Sequence, residues 1–448
     1  MSHPRFSIFL SGVNMVRSLV DGLRGSLATL ANDYKTIPVT NASTDEGVAI
    51  LRQPTAFEGV PNLQLFTLTQ DEDVDTAARS GAGKLAILGT KGIPARYGGF
   101  ETFAEKLSLG LVERGFDVTV YCETTDEMPA RLGGVKLEYV PLPKLGPLST
   151  VVFDLRCLWH ARRDHEVVYM LGYGAAMFCF IPRLWGKQVW LNMDGLEWKR
   201  SKWSKPAKIW LKMMEAIAMW TPNRIIADAA GIKDSLQSRH ARLPPVSVIP
   251  YGAPVIESGP DHGVLAEMNL APFEYYLVVC RLEPENHVLE ILRGYALSDT
   301  TRPLIVVGNH LSGTPYVAKL RDINIPSIRF VGAIYDQKKL LALRYYCAAY
   351  FHGHSVGGTN PSLLEAMGCG NLVIAHDNMF NREVLGEMGM YFRSEMDIPA
   401  LSNAVENCDI STRNMVSSDS VARIRAFYTW DMIVEKYTKL LTETIQKK

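Results

Sequence analysis

The chain has 448 residues, more than a single hydrophobic core usually accommodates, so we expect two or three domains. Hydrophobic residues make up 47% of the chain and charged residues 21%, as in an ordinary soluble globular protein. Lysine plus arginine number 47, as do aspartate plus glutamate, so no overall charge argues for nucleic-acid binding.

The seven cysteines are scattered, include no C-x-x-C pair and are odd in number, which favours buried thiols in a reducing compartment over a zinc site. The N-terminus lacks a secretory pattern, because the apolar run at 6–13 is short. The longest uncharged stretch, 167–182, is short for a membrane span, and it predicts a buried strand, a glycine turn and a short helix. We therefore expect a cytoplasmic protein, with a peripheral contact at the inner membrane face as an open alternative.

Residues 1–80 contain no motif and form an N-terminal extension of unknown role. Residues 16–34 have near-helical apolar spacing, which is compatible with an amphipathic helix. The acidic run 71–75, DEDVD, resembles the D-x-D metal motif of one class of sugar transferases, but no apolar strand precedes it, so we interpret it as a solvated turn. The extension is a membrane-proximal helix, a partner-binding arm or an unstructured segment.

The pattern changes at residue 84. An apolar strand at 85–88, a glycine-rich loop at 89–99, a helix at 100–114 and a strand at 118–122 predict the βαβ unit that opens a doubly wound sheet. The glycine spacing is not G-x-G-x-x-G, so a nicotinamide cofactor fits poorly. Further strands of this first lobe are predicted at 137–140, 167–171, 188–191, 224–227 and 246–249.

A second series of strands and helices starts at 275–280. Its further strands are predicted at 304–307, 328–331, 350–352 and 372–375. With a break near 250–273, the chain is expected to be an α/β protein of two Rossmann-like domains, 84–250 and 274–425, that face a cleft. We expect the C-terminal segment 426–448 to be a helix that crosses back to the first domain.

The stretch 352–368 is a glycine-rich turn that leads into a helix, an arrangement that predicts an anion cradle. Asn360 is a good N-cap and Pro361 suits the first turn, so amides around 359–363 are free to hold a diphosphate. Glu365 lies near the first turn, where a carboxylate accepts hydrogen bonds from hydroxyls such as those of a ribose. The alternative is an ordinary strand-to-helix turn with a capping-region glutamate.

Polar residues at other predicted loops complete the candidate site. Gly98 and Gly99 allow close approach of a donor phosphate or an acceptor hydroxyl, and Arg96 and Tyr97 line the same loop. The alternatives are turn glycines and solvated side chains.

Asp194 follows the strand at 188–191, where a carboxylate can take or orient the proton of an acceptor hydroxyl; the alternative is a turn-capping aspartate. Glu197 is the second candidate for this role, or else a partner of Lys199 or Arg200. His354, at the mouth of the cradle, is expected to contact the donor sugar or a phosphate.

The segment 183–212 combines basic residues with tryptophans and carries only Asp194 and Glu197 as acidic residues. Its basic residues are Arg183, Lys187, Lys199, Arg200, Lys202, Lys205, Lys208 and Lys212, and its tryptophans are Trp185, Trp190, Trp198, Trp203 and Trp210. One interpretation is an interfacial patch that contacts a membrane surface. The other is a solvated helix with tryptophans in the core.

Four motifs in order resemble the bacterial rhamnosyltransferase-like branch of glycosyltransferase family 4. They are GTKGIPARYGGFETF at 89–103, NMDGLEWKRSKW at 192–203, CRLEPEN at 280–286 and HGHSVGGTNPSLLEAM at 352–367. The resemblance covers roughly 84–440 and leaves 1–80 aside. It implies the GT-B fold, an acceptor domain followed by a nucleotide-sugar domain, retention of anomeric configuration and no metal.

The resemblance also implies roles for single residues. The family usually has an E-x7-E pair; Glu365 matches the second glutamate, which binds ribose, but Gly357 stands where the first, near the donor sugar, is usual. Arg281 matches the arginine that grips the diphosphate, whereas Asn286 stands at the position of the family's lysine.

We expect a glycosyltransferase that moves a hexosyl unit, with rhamnose from dTDP-rhamnose the leading candidate, to a saccharide or lipid-linked saccharide, without cofactor or metal. The alternatives are a nucleotide-sugar-binding protein without transfer activity and a GT-B nucleotide-sugar epimerase. The expected residues are Asp194, Arg281 and His354 for catalysis, Gly98, Gly99, Arg281, Asn286, Gly357, Gly358, Thr359, Asn360, Ser362 and Glu365 for the donor, and Arg96, Tyr97 and Glu197 for the acceptor.

Overall fold

The computed structural model describes residues 8–9, 37–40, 65–67, 83–95, 98–193 and 195–447. The chain divides into two compact units, Met1–Ser80 and Gly81–Lys448. In the first unit, the strands β1 (Ile8–Phe9), β2 (Ile37–Thr40) and β3 (Leu65–Thr67) form a parallel sheet in that order. The helix considered at 16–34 and the acidic turn at 71–75 lie outside the described residues.

The second unit begins with an eight-stranded sheet. Its strands are β4 (Lys84–Leu88), β5 (Asp117–Glu123), β6 (Arg131–Leu132), β7 (Val135–Val140), β8 (Val167–Met170), β9 (Gln188–Met193), β10 (Arg224–Ala227) and β11 (Val246–Val248). The order is β11-β10-β9-β8-β4-β5-β7-β6, and β6 alone of these strands runs antiparallel to its neighbour. Every strand predicted for the first lobe is present, whereas the two-residue edge strand β6 is too short for a periodicity signal.

Helices cover both faces of this sheet, which explains why its central strands are almost continuously apolar. They are α1 (Gly99–Glu113), α2 (Ser149–Ala161), α3 (Phe180–Leu184), α4 (Lys205–Ala218) and α5 (Ala230–Arg239). Phe103 and Leu107 of α1 pack on one face of the sheet, and Phe153 and Cys157 of α2 pack on the other. All four residues of β8 are buried.

A second, six-stranded sheet follows, and its described strands are all parallel. They are β12 (Tyr276–Val279), β13 (Leu304–Val307), β14 (Ile328–Gly332), β15 (Ala349–His352), β16 (Val373–His376) and β17 (Met390–Phe392), in the order β14-β13-β12-β15-β16-β17. The helices around it are α6 (Gly263–Glu267), α7 (Val288–Ala296), α8 (Pro315–Arg321), α9 (Gln337–Tyr345), α10 (Pro361–Gly368), α11 (Met379–Leu385) and α12 (Ile398–Glu406).

The strand order of each sheet reverses at one point. In the first sheet, β5 lies on one side of β4, and β8, which comes later in the chain, lies on the other side. In the second sheet, β13 and β15 flank β12 in the same way. Ligands of doubly wound sheets bind beside such reversals, at the carboxyl ends of the strands. The loops after β4, β8, β12 and β15 are therefore the structural candidates for a binding site.

The last two helices, α13 (Ile410–Phe427) and α14 (Trp430–Gln446), return the chain to the first domain. The hydroxyl of Tyr437 on α14 lies 2.8 Å from that of Tyr169 on β8. Gly110 of α1 leaves room for Val434, since an added Cβ would lie 2.7 Å from its Cγ2. The C-terminal helix therefore buries one face against the first domain.

Replacing Tyr437 tests how much the packing of α14 on the first domain stabilises the protein. Tyr437 is fully buried, and its ring lies 5.8 Å from that of Phe103. We expect Tyr437→Ala to lower the free energy of unfolding by about 3–5 kcal/mol, because it leaves a cavity and removes the hydrogen bond between the Tyr437 and Tyr169 hydroxyls. Urea denaturation measures the change. Tyr335→Ala, at an exposed tyrosine, is the control and should change stability by less than about 0.5 kcal/mol; equal effects of the two substitutions would contradict the packing role.

Candidate active site

The glycine-rich turn after β15 forms the start of α10 as the sequence predicts. Asn360 is the N-cap, and its side-chain oxygen accepts a hydrogen bond of 2.9 Å from the amide of Ser362. Pro361 is the first helical residue, and Gly357 has a φ of 131°, a conformation that favours glycine. The turn therefore presents the positive end of the α10 dipole.

A second helix N-terminus meets this one. Gly99 is the first residue of α1, and a Cβ added there would lie 3.7 Å from Cγ of Pro361. A Cβ added to Gly98 would meet no heavy atom of the described residues within 4 Å, its chain neighbours aside. The free amides and dipoles of both helices thus converge, an arrangement that favours an anion. The structure brings Gly98, Gly99 and the cradle together across the cleft.

Two arginines lie near the converging helices. Arg281 follows β12, and its side chain is 62% exposed, with Nη1 3.7 Å from Oε1 of Glu283. Arg200 comes from the first domain, and its Nη2 lies 4.0 Å from where a Cβ of Gly357 would be. The Arg200 side chain is only 12% exposed. From the sequence, Arg200 is a possible partner of Glu197 and one of the basic residues of 183–212. Its place in the motif at 192–203 was the available signal for a role in the cleft.

Glu197 lies among basic side chains of its own segment. Its carboxylate accepts a hydrogen bond of 3.1 Å from Trp203 and forms ion pairs with Arg200, at 2.5 Å, and Lys202, at 2.9 Å. These partners occupy both carboxylate oxygens. Glu197 therefore orients the Arg200 guanidinium, as in the alternative stated from the sequence, and its contact with an acceptor stays a prediction.

Glu365 lies on α10 and is held by a buried arginine. Nη2 of Arg344 lies 2.7 Å from Oε2 of Glu365, whose side chain is partly exposed. This ion pair fixes the orientation of the carboxylate. Arg344 is on α9, far from Glu365 in sequence, so no local motif indicates the pair.

Three predicted donor residues use their side chains inside the protein. The Ser362 hydroxyl bonds the Tyr350 hydroxyl and lies 3.3 Å from the carbonyl oxygen of Val279. The Thr359 hydroxyl donates to the carbonyl of Asp228, and the Asn286 amide donates to the carbonyl of Arg281 at 2.7 Å. These side chains fix the loops. A contact of Ser362, Thr359 or Asn286 with a donor stays a prediction.

The imidazole of His354 is held neutral. Burial lowers its pKa well below the usual value, and the charges of His352, Arg281, Arg200 and His287 lower the pKa further. Its ring stacks on His352 with centroids 4.5 Å apart, and Nδ1 has no hydrogen-bond partner within the described residues. His354 thus offers a neutral hydrogen-bonding group beside the cradle.

Glycines permit direct contact of the two domains over the cradle. Gly195 has a φ of 71°, and a Cβ added to it would lie 2.5 Å from Cα of Gly357. A Cβ on Gly358 would lie 2.0 Å from Oδ1 of Asp228. Asp228 is buried and directly follows β10, a position at which sequence analysis could have selected it. It is the carboxylate that the sequence analysis missed.

Three predicted residues, Arg96, Tyr97 and Asp194, lie outside the described residues. Their roles stay predictions. Among the residues that the structure describes, no group of three or more His, Cys, Asp or Glu side chains is placed to hold a metal ion. No helix in the described part of the chain is long and apolar enough to cross a membrane.

Comparisons with known proteins concern the domain and the fold. Residues 83–254 match the family model of a domain of unknown function, DUF1972, and no curated protein matches the chain. Sucrose-phosphate synthase from Thermosynechococcus elongatus is similar, with a TM-score of 0.69 and 17% identity over 82% of this chain and 100% of that chain. HepE of Anabaena in complex with UDP-glucose has a TM-score of 0.65 and 16% identity over 82% and 100% of the two chains.

The α,α-trehalose-phosphate synthase (UDP-forming) from Burkholderia xenovorans has a TM-score of 0.63 and 10% identity over 80% of this chain and 100% of that chain. At such identities, likeness between structures concerns the fold alone. The two sheets and these similarities confirm the predicted α/β, GT-B architecture of two Rossmann-like domains facing a cleft.

Histidine burial at the site predicts a loss of stability in acid. Burial lowers the pKa of His352 from 6.5 to about 3, so below pH 6.5 the unfolded chain binds a proton that the folded chain does not. The stabilisation that comes from keeping His352 neutral in the folded state is fully present above pH 6.5 and decreases as the pH falls toward 3. At pH 5 it has decreased by about 2 kcal/mol.

The substitution His352→Phe isolates this effect, because neither ring nitrogen of His352 has a hydrogen-bond partner within the described residues. Unfolding free energies of both proteins are measured from pH 8 to pH 5. We expect the wild type to lose about 2 kcal/mol more than the variant over this range. Parallel curves for the two proteins would refute the assignment.

Proposed function

We propose that the chain is a glycosyltransferase that moves a hexosyl unit from a nucleotide sugar to a saccharide hydroxyl, in polysaccharide or lipid-linked oligosaccharide synthesis. The observation that carries the proposal is the convergence of the α1 and α10 N-termini at the strand-order reversals, with Arg200 and Arg281 beside them. Such a site matches a diphosphate, whose negative charge increases as it leaves the sugar.

Each group has a role in this reaction. Backbone amides around 357–363 and the two arginines bind the diphosphate, so the departing group needs no divalent cation. Glu365, oriented by Arg344, accepts hydrogen bonds from the nucleotide ribose. Neutral His354 bonds the donor sugar or a phosphate, and Asp194 takes or orients the proton of the acceptor hydroxyl.

Donor identity rests on the resemblance of the four motifs. It favours rhamnose from dTDP-rhamnose and retention of anomeric configuration, through substitution on the same face of the sugar assisted by the leaving phosphate. HepE, which is similar in fold, forms complexes with UDP and with UDP-glucose, which supports a nucleotide-sugar site but leaves the nucleobase open.

Asp228 supplies the carboxylate that the position of Gly357 lacks. The resemblance implies a glutamate near the donor sugar at that position, and glycine stands there instead. Oδ1 of Asp228 borders Gly358, the next residue of the same turn, from the opposite domain. We assign to Asp228 the electrostatic support of positive charge at the anomeric carbon.

Replacement of the exposed Arg281 tests the proposed glycosyl transfer. The assay follows acceptor-dependent release of nucleoside diphosphate from a panel of nucleotide sugars, including dTDP-rhamnose, in the presence of EDTA. We expect Arg281→Ala to lower kcat about a hundredfold, because it removes stabilisation of the leaving diphosphate. The melting temperature should change little, since the side chain is largely exposed.

Arg293→Ala is the matched control, because Arg293 is a similarly exposed arginine on α7 that pairs with Glu395. Equal turnover of the wild type and Arg281→Ala contradicts the proposed role of Arg281. Wild-type binding of a nucleotide sugar without turnover indicates a binding protein, and conversion of the sugar without an acceptor indicates an epimerase.

Asp228→Asn tests the sugar-side carboxylate with almost unchanged shape. We expect kcat to fall at least about tenfold, whereas thermal stabilisation by the free nucleoside diphosphate is retained. Asp234→Asn, at an exposed aspartate on α5, is the control. A variant with wild-type kcat would show that Asp228 serves only the contact between the domains.

A further inference from the structure

One side of α4 is apolar and faces solvent. Ile209 is 69% exposed, Met213 46% and Trp220, just beyond the end of the helix, 60%. Their spacing of four and seven residues places them on one side of a helix. In a soluble protein, a continuous exposed apolar patch usually marks an interaction surface.

Neighbouring helices extend this surface. Arg183 of α3 joins the end of α4, because its Nη1 donates to the carbonyls of Trp220, at 3.0 Å, and Thr221, at 2.8 Å. Trp159 of α2 packs edge-on against Trp185, with ring centroids 5.8 Å apart. We call the whole surface the aromatic face; its exposed residues are Trp159, Phe180, Leu184, Trp185, Ile209, Met213 and Trp220.

Positive charge surrounds the aromatic face. Lys205, Lys208 and Lys212 project from α4, whereas the acidic side chain of that helix, Glu215, is buried and pairs with Arg239. Arg162, which is itself buried, holds the Trp159 ring in place, with its guanidinium 3.7 Å from the ring centroid. Aromatic rings at the surface flanked by cations are typical of contact with the polar region of a bilayer.

A cavity opens at the rim of the aromatic face. Its volume is about 270 Å³, and its lining includes Arg183, Trp220, Asn223 and Arg242. The guanidinium of Arg242 lies 4.2 Å from the ring centroid of Trp220. This space holds several molecules of water, at about 30 Å³ each, and so admits a phosphate headgroup between two guanidinium groups.

We infer that the aromatic face docks on a bilayer that contains anionic phospholipid, with headgroup phosphate taken by Arg183 and Arg242. Charge complementarity selects this occupant: the face offers aromatic and aliphatic side chains for the interface and cations for anionic headgroups. The docking itself does not require the proposed reaction.

The orientation of α4 links docking to the cleft. The helix follows Ser201, whose hydroxyl lies 2.6 Å from the carboxylate of Glu285 in the second domain. Its N-terminal end is therefore at the cleft mouth, and its 14 residues extend about 21 Å from there. A bilayer along the aromatic face therefore lies beside the cleft. This geometry, together with the proposed function on which this step rests, predicts that the acceptor saccharide is carried by a membrane lipid.

Vesicle co-sedimentation of the full chain, without nucleotide sugar, tests the docking. The probes are vesicles of phosphatidylcholine alone and vesicles in which about a third of the lipid is phosphatidylglycerol. We expect binding to the anionic vesicles only, and loss of binding at about 1 M salt, where the Debye length is about 3 Å. The combined substitution Lys205→Gln, Lys208→Gln and Lys212→Gln should weaken binding on the order of a hundredfold, at about fivefold per charge.

Apolar contact is tested with the combined substitution Ile209→Ser, Met213→Ser and Trp220→Ser, which should also abolish sedimentation with anionic vesicles. The matched control is Leu311→Ser with Tyr335→Ser, which removes two equally exposed apolar residues of the second domain and should bind as the wild type. Melting temperatures verify that every variant is folded.

The inference is overturned if the wild type does not bind anionic vesicles, or if folded variants of the aromatic face bind them as well as the control does. It is also overturned if sedimentation velocity shows a wild-type dimer that these variants dissociate, because the face would then join two copies of the chain. Turnover on a soluble saccharide acceptor is measured separately, so failure of docking and failure of glycosyl transfer are distinguished.

Discussion

Backbone contact between the two domains, over the cradle, is the constraint on which the site depends. Gly195 and Gly358 have no space for a side chain, because Gly357 and the Asp228 carboxylate lie where their Cβ atoms would be. This approach places the N-termini of α1 and α10 against each other and brings Arg200 next to Gly357. Without such contact, the two helix dipoles and the arginines would lie on separate domains, and neither domain alone would offset the negative charge of a diphosphate.

Electrostatic organisation around the cradle follows from burial and pairing. Glu197 and Arg344 hold Arg200 and Glu365, respectively, in fixed orientations. Burial lowers the pKa of His354, so its ring adds no positive charge beside the arginines. The site thus combines fixed charges with a neutral imidazole, which is an arrangement that needs little reorganisation as charge develops.

Local sequence patterns predicted most of the architecture because secondary structure and capping depend on near neighbours. The alternation of apolar strands with helices identified both sheets, and Asn360 with Pro361 identified the start of α10. The short edge strands β6 and β17 were missed, since two or three residues carry no clear periodicity. For the segment 183–212, the sequence allowed either tryptophans in the core or tryptophans at an exposed surface. The structure contains both: Trp190 is in the core, whereas Trp185 is exposed.

Sequence alone thus determined the fold class, the helix that forms the cradle and the candidate positions of Glu365 and Arg281. Only the tertiary structure decided which side chains remain available to a ligand and which hold the loops. Ser362 and Thr359 bond Tyr350 and the Asp228 carbonyl, whereas Asp228 and Arg200 enter the site from the other domain. The physical reason is that these contacts join separate elements, and those of Asp228 and Arg200 join separate domains, so they depend on tertiary packing, which local propensity does not encode.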